Sequence, residues 1–460
     1  MQFPANCDKI KRIKGLIGLF SRKDLLRLII PLVIEQILAV TIGMADTMMV
    51  SSVGEAAVSG ISLVDTINIL LIQVFSALAT GGAVVSSQYL GRGDQNNACK
   101  AAKQLVYAIT ACALLLMTIA LVFRKPIIRL AFGSIQPDVM QNANTYLLLS
   151  ALSYPFLAIY NAGAALYRSM NNSKISMFVS LLMNFINISG NAILIFVFRM
   201  GVAGAGLASL ASRAAAAIIM LLLLRKSANP IHVRQIHKPE FHPQMVKNIL
   251  HIGIPNGLEN GMFQIGKVMV QSLIASFGTI SIAANAVANN FASVEVLPGS
   301  AIGLAMITVV GQCVGAHDYA QAKAYAAKLM KITYLAVGVL NIVVLLLVNP
   351  LVGCYSLSAE TAALAKQLLI YHSICCMIIW PASFTLPNTL RAANDVKFTM
   401  LLSIVSMWTC RIALSYILGG WFGLGVLGVW IAMTADWLVR AVGFTARFIS
   451  GRWKHRQLIS

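Results

Sequence analysis

Long apolar windows separated by short polar breaks run the whole length of the chain, near residues 25–49, 57–87, 104–123, 143–168, 175–198, 202–224, 247–276, 280–311, 329–349, 363–391, 398–420 and 424–446. A helix needs about 20 apolar residues to cross the hydrocarbon layer, and several of these windows are longer, with room to tilt or kink. The pattern predicts an all-α integral membrane protein with twelve transmembrane helices.

Composition agrees: 58% of the 460 residues are hydrophobic and only 11% are charged, where soluble domains carry roughly 25%. The net charge of +20 would suit a nucleic-acid partner if it formed one patch. Instead the bases gather at the ends and in loops after even-numbered windows, as with Lys9, Lys11, Arg12, Lys14, Arg22 and Lys23, and again with Arg225, Lys226, Arg234 and Lys238. The other side holds few, among them Arg124, Lys125, Arg129, Arg199 and Lys366. This asymmetry predicts both termini in the cytoplasm and no nucleic-acid partner. Residues 9–29 could lie as a basic amphipathic helix on the inner leaflet or simply anchor topology. No cleavable signal peptide is apparent. The eight cysteines show no CxxC spacing. His232, His237 and His242, five residues apart, read as part of a solvated linker.

The chain is also written twice. A shift of 224 lays Pro31 on Pro255, Glu35 on Glu259, Gly54 on Gly278, and "SSQYLGRGD" on "VGQCVGAHD", so that Gln88, Gly91 and Asp94 meet Gln312, Gly315 and Asp318. A shift of 223 lays "LYRSMNNSK" on "TLRAANDVK", with Arg168 on Arg391. Duplication of an even number of spans implies two six-helix lobes related by a pseudo-twofold along the membrane normal, with a central site between them. The expected divisions are a basic segment 1–24, an N-lobe 25–225, a linker 226–246, a C-lobe 247–450 and a tail 451–460.

No GxxxxGK[ST], HExxH or GxSxG motif is present, so neither ATP-driven work nor hydrolytic chemistry is expected. What stands out is charge inside spans: Glu35, Asp46, Asp65, Glu259, Glu295 and Asp436, with Arg213, Lys267 and Arg411. Such residues are costly in hydrocarbon and face a cavity or a partner. Arg213, Arg411 and Asp436 suit structural ion pairs; Asp65 and Glu295 are open between pairing and function. Glu35 and Asp46 lie eleven residues apart, within about 20° on a helix. Glu35 and Glu259, each four residues after a proline, should face each other across the pseudo-twofold. Pro31 and Pro255 each remove a helical hydrogen bond and are candidate hinges. Burial disfavours a carboxylate's charge, so such acids can exchange a proton or Na⁺ for a cationic cargo. Cargo contacts are expected from Glu35, Asp46, Glu259, Gln264 and Lys267.

These residues resemble the multidrug and toxic compound extrusion (MATE) family over nearly the whole chain. The resemblance rests on "GMADTMMVSSVG", on the two Q-x-x-G segments followed by Asp, on "TLRAANDVK" and on "RIALSY". It implies a V-shaped pair of lobes in a bacterial inner membrane that exports amphiphilic organic cations in exchange for H⁺ or Na⁺. It also implies no other cofactor, membrane lipids as surroundings, and a monomer. By the same resemblance Asp46, Asn187, Asn191 and Ser209 form an N-lobe cation site, with Asp46, Asn187 and Asn191 the expected Na⁺ ligands. Asn191 stands where some members carry Asp. Glu259 matches the acidic seventh helix, Trp380 sits near the place of a tenth-helix acid, and His372 is either a relay or a satisfied buried histidine. A lipid-linked oligosaccharide flippase of the wider superfamily is the second reading, disfavoured because acids outnumber bases within the spans. A passive channel is the third.

Overall fold

The computed structural model describes residues 19–133, 136–234, 240–355 and 357–456, without the side chains of residues 42–47 and 132. The amphipathic stretch ahead of the first helix falls mostly outside these residues.

Twelve long helices follow one another: α1 Arg22–Ser51, α2 Glu55–Arg92, α3 Gln95–Val122, α4 Pro137–Ser169, α5 Ser173–Asn191, α6 Gly201–Leu224, α7 Pro243–Ala275, α8 in two segments Thr279–Glu295 and Leu297–Gly315, α9 Tyr319–Leu346, α10 Ala359–Ile378, α11 Val396–Ser406 and α12 Gly425–Ile449. Wider turns with i→i+5 bonding extend α5 through Ala192–Val197, α10 through Pro381–Thr385, and α11 through Met407–Ala413 and Tyr416–Trp421; beyond its wide turn α10 ends in the α-helical Pro387–Ala392. Among the described residues, ten helices are long and apolar enough to cross a membrane on composition alone. α1 and α7, which carry Glu35, Asp46, Glu259 and Lys267, complete the twelve. The eighth window, expected as one helix, breaks at Val296 because Pro298 supplies no backbone donor to continue the ladder.

The repeat is visible in the backbone itself. Left-handed residues recur one repeat apart: Gly54 with Gly278, Gly93 with His317, Asn171 with Asn394, Arg199 with Gly423, and Gly201 with Gly425. Asp94 caps α3 by accepting from the Asn97 amide (3.0 Å), and Asp318 caps α9 through Gln321 (2.9 Å).

The lobes meet where the second helix of each repeat crosses its counterpart. A Cβ on Gly91 would collide with the Gln312 carbonyl, and one on Gly315 with the Gln88 carbonyl. Only glycine permits this approach. Gln88 Nε2 donates to the Ala392 carbonyl (2.8 Å) and Asn394 Oδ1 (2.9 Å) at the end of α10. Gln312 Nε2 donates to the Ser169 carbonyl (2.8 Å) at the end of α4, and Asn171 Nδ2 reaches Gln312 Oε1 (3.4 Å). Each lobe thus clasps the other at the end of the bundle where the described residues begin and end.

The segment between lobes is not simply solvated, as its charge had suggested. Ile231 and Val233 are buried, Asn229 donates to Tyr167 Oη (3.0 Å), and Gln104 donates to the Glu240 carbonyl (2.6 Å). Apolar positions alternating with the polar ones pin it to the ends of α3 and α4; His237 lies outside the described residues.

Candidate functional site

Glu35 and Glu259 occupy equivalent places, yet they do not face each other. Each is buried and turned into its own lobe against a duplicated arginine. Glu35 Oε1 lies 3.4 Å from Arg168, and its Oε2 accepts from Ser176 (2.9 Å). Glu259 Oε1 lies 2.8 Å from Arg391 and accepts from Ser403 (2.6 Å). The arginines project from the α4 and α10 ends that the opposite lobe clasps. A repeat axis relates two acids without bringing them together, and the helical step from each proline aims the carboxylate at its own lobe's arginine. Pro31 and Pro255 sit inside unbroken helices.

In the N-lobe a cavity of about 400 Å³ is lined by Glu35, Asp65, Asn184, Asn187, Asn191 and Ser209 among others. Asn187 Nδ2 donates to Ser209 Oγ (3.2 Å), and Asn191 Nδ2 to Asn187 Oδ1 (3.4 Å). The expected N-lobe set therefore comes together, apart from Asp46, whose side chain lies outside the described residues. Asp65 joins it, a residue the sequence reading left between roles. Its Oδ1 accepts from Asn68 (3.2 Å), whose Oδ1 accepts from Tyr154 (2.9 Å). Arg213 also lines the cavity and donates to Ser153 (2.7 Å). Carboxylates with amide and hydroxyl oxygens are hard donors suited to a proton or a small cation.

Two cavities open on the C-lobe side. One of about 370 Å³ holds Glu259, Gln264, Lys267, Arg391 and Arg440, and Gln73 from α2 of the N-lobe closes it. The larger, about 770 Å³, runs between Ile69 and Leu70 of α2 and a wall that includes Gln264, Lys267 and Arg411. Gln264 and Lys267 thus lie where the lobes meet. Asp436 sits between Arg440 (2.9 Å) and Arg411 (4.0 Å), the structural pairing expected of it. The excess of acids over bases does not survive. Arg168, Arg391 and Arg440 reach in from positions that hydropathy windows assign to span ends or loops, or pass over within an apolar run.

Glu295 lies apart from these cavities. His372 Nδ1 is 2.5 Å from its carboxylate and Ser373 donates to it, so His372 is a satisfied buried histidine. Cys376 brings a third donor close, a cluster that sequence spacing had hidden.

Two repeats of six helices, clasped at one end around lobe cavities lined with charged groups, define a multi-pass membrane transporter. A family model described as MatE matches residues 31–193 and again 255–417, the two matches 224 residues apart at both ends (255 − 31 and 417 − 193). The chain belongs to the MATE family. It is 28% identical to the uncharacterized transporter YisQ of Bacillus subtilis, covering 92% of this chain and 93% of that one. It is 25% identical to the probable multidrug resistance protein NorM of Thermotoga maritima, over 95% and 94%. A multidrug resistance MATE family transporter solved in an outward-facing conformation superposes with a TM-score of 0.84 at 19% identity, covering 93% of this chain and 96% of that one. These matches favour a drug-efflux transporter over the flippase.

Proposed function

We propose that this transporter is a cation-coupled antiporter of the bacterial inner membrane, with both termini in the cytoplasm, exporting amphiphilic organic cations in exchange for H⁺ or Na⁺. The observation that carries this reading is the duplicated glutamate–arginine pair set against the duplicated clasp. Arg168 and Arg391 each lead directly into the residues that the opposite glutamine holds. Neutralising Glu35 by a proton, or engaging it with Na⁺, removes Arg168's counter-charge. The end of α4 is then freed to shift against Gln312. The N-lobe pair is the looser of the two, 3.4 Å against 2.8 Å, and it adjoins the cavity with the amide and hydroxyl oxygens. This supports the N-lobe as the coupling site and the cleft between the lobes as the cargo site.

With the termini inside, the clasp closes the cytoplasmic end and the described state faces outward. One cation exchanged for one is electroneutral and is driven by the ion's concentration gradient alone; each ion carried inward beyond that gains about 2.3 kcal/mol per 100 mV of membrane potential. The test is ethidium transport in vesicles under a pH gradient or a Na⁺ gradient imposed separately. Flux should follow one gradient and fall at least tenfold in Glu35→Gln. Flux indifferent to both gradients and to that substitution would overturn the mechanism.

A further inference from the structure

With Glu259 paired to Arg391 and Asp436 to Arg440, the C-lobe wall of the cleft keeps positive charge that no described carboxylate balances. Lys267 is exposed to the larger cavity, and its ammonium rests 5.3 Å from the centre of the Phe263 ring with no described acid in ion-pair range. Arg411 lies 5.0 Å over the same ring. Among the described residues the one acidic neighbour of its guanidinium is Asp436 Oδ2 at 4.0 Å, and the one other polar contact of that group is the Met407 sulfur at 4.0 Å. Asp436 Oδ1 is meanwhile occupied by Arg440 and by Ser406 (2.6 Å).

Phe263 and Lys267 are one helical turn apart, so α7 sets ring and ammonium on one face. The ring attracts both cations, but a quadrupole is a weak replacement for a counter-ion in hydrocarbon. Lys267 and Arg411 also repel each other. The cavity around them is of drug-binding size, with apolar walls at Ile69, Leu70, Val268 and Met433. Unlike the N-lobe cavity, it has no described acid in its lining.

We propose that Lys267 and Arg411 form an oxyanion subsite, which binds the carboxylate, sulfonate or phosphate group of an amphiphilic cargo whose apolar body lies along this cavity. The planar Arg411 fork and the mobile Lys267 ammonium can hold one oxyanion together. The inference rests on the cleft being the cargo site of the proposed cation exporter, and adds that its preferred cargo is zwitterionic, carrying besides its cationic centre an anionic group that the C-lobe wall holds. A bracing role for Lys267 against Phe263 is the rival account.

Two fluorescent probes with one dansyl-alkyl body, ending in carboxylate or in trimethylammonium, separate the two. With full-length protein in detergent, the affinity ratio of carboxylate to ammonium should fall at least tenfold in Lys267→Met and stay within threefold of wild type in Lys267→Arg. If Lys267→Met does not fold, wild-type protein still decides: the carboxylate probe, and not the ammonium probe, should shield Lys267 from amine acylation read by peptide mass spectrometry. An unchanged ratio, or equal acylation with either probe, overturns the subsite. Ethidium efflux by the same protein reconstituted into vesicles keeps the outcomes apart. Efflux without carboxylate selectivity sinks the subsite alone, whereas selectivity without efflux sinks the exporter reading alone.

Discussion

Glu259 Oε1 accepts from both Arg391 and Ser403, while Oε2 has no hydrogen-bond partner among the described residues, nor has Arg391 Nε. The pair is therefore made but not saturated. A buried charge stripped of its partner costs more than the pair contributes. Arg391→Leu should lower stability by about 3 kcal/mol, whereas Arg391→Leu with Glu259→Gln should regain much of the loss. Thermal unfolding of the purified variants in one detergent checks this, and additive losses would mean that the two side chains do not act as a unit. The same logic applies to Glu35 with Arg168, where the longer contact predicts a smaller penalty.

At the level of the helices, the Q-x-x-G segments and the aspartates that follow them divide their labour. The glycine lets α2 and α8 cross, the glutamine catches the far lobe, and the aspartate starts the next helix. Each of the four bonds made by Gln88 and Gln312 is neutral and contributes only about 1 kcal/mol, so together they hold the lobes closed without locking them. Gln88→Ala combined with Gln312→Ala should shift the population toward a state open at this end, with each single variant intermediate. Spin labels at Gln95 and Ala320, both exposed, on a background without the native cysteines, should report longer distances in the double variant. An unaltered distance distribution would show that the glycine crossing alone sets closure.

For the molecule as a whole, the basic loops predict that a fluorescent protein fused after the last residue will fluoresce and that alkaline phosphatase fused there will be inactive; the reverse result would invert the topology. Hydropathy alone placed all twelve helices, because a membrane span is a one-dimensional property of the chain. The break at Pro298 escaped it, since apolar windows do not register a lost backbone donor. Glu35, Glu259, Asn187, Asn191 and Ser209 were legible as special because polar groups inside apolar runs are few. Their partners were not. Arg168 and Arg391 were visible as repeat markers, but nothing in spacing says that an arginine at the end of the fourth or tenth helix folds back onto the first or seventh. Asp65 joins the N-lobe cavity through tertiary packing, and Arg440 was concealed one turn along from Asp436 in the last helix.

Because the hook on either half fastens to its neighbour rather than to itself, disengaging one leaves the other in place. In the proposed exchange an empty carrier keeps both hooks fastened and stays shut, so an ion or a cargo must be aboard before the door moves, which guards against slippage, in which the gradient would drain with nothing exported.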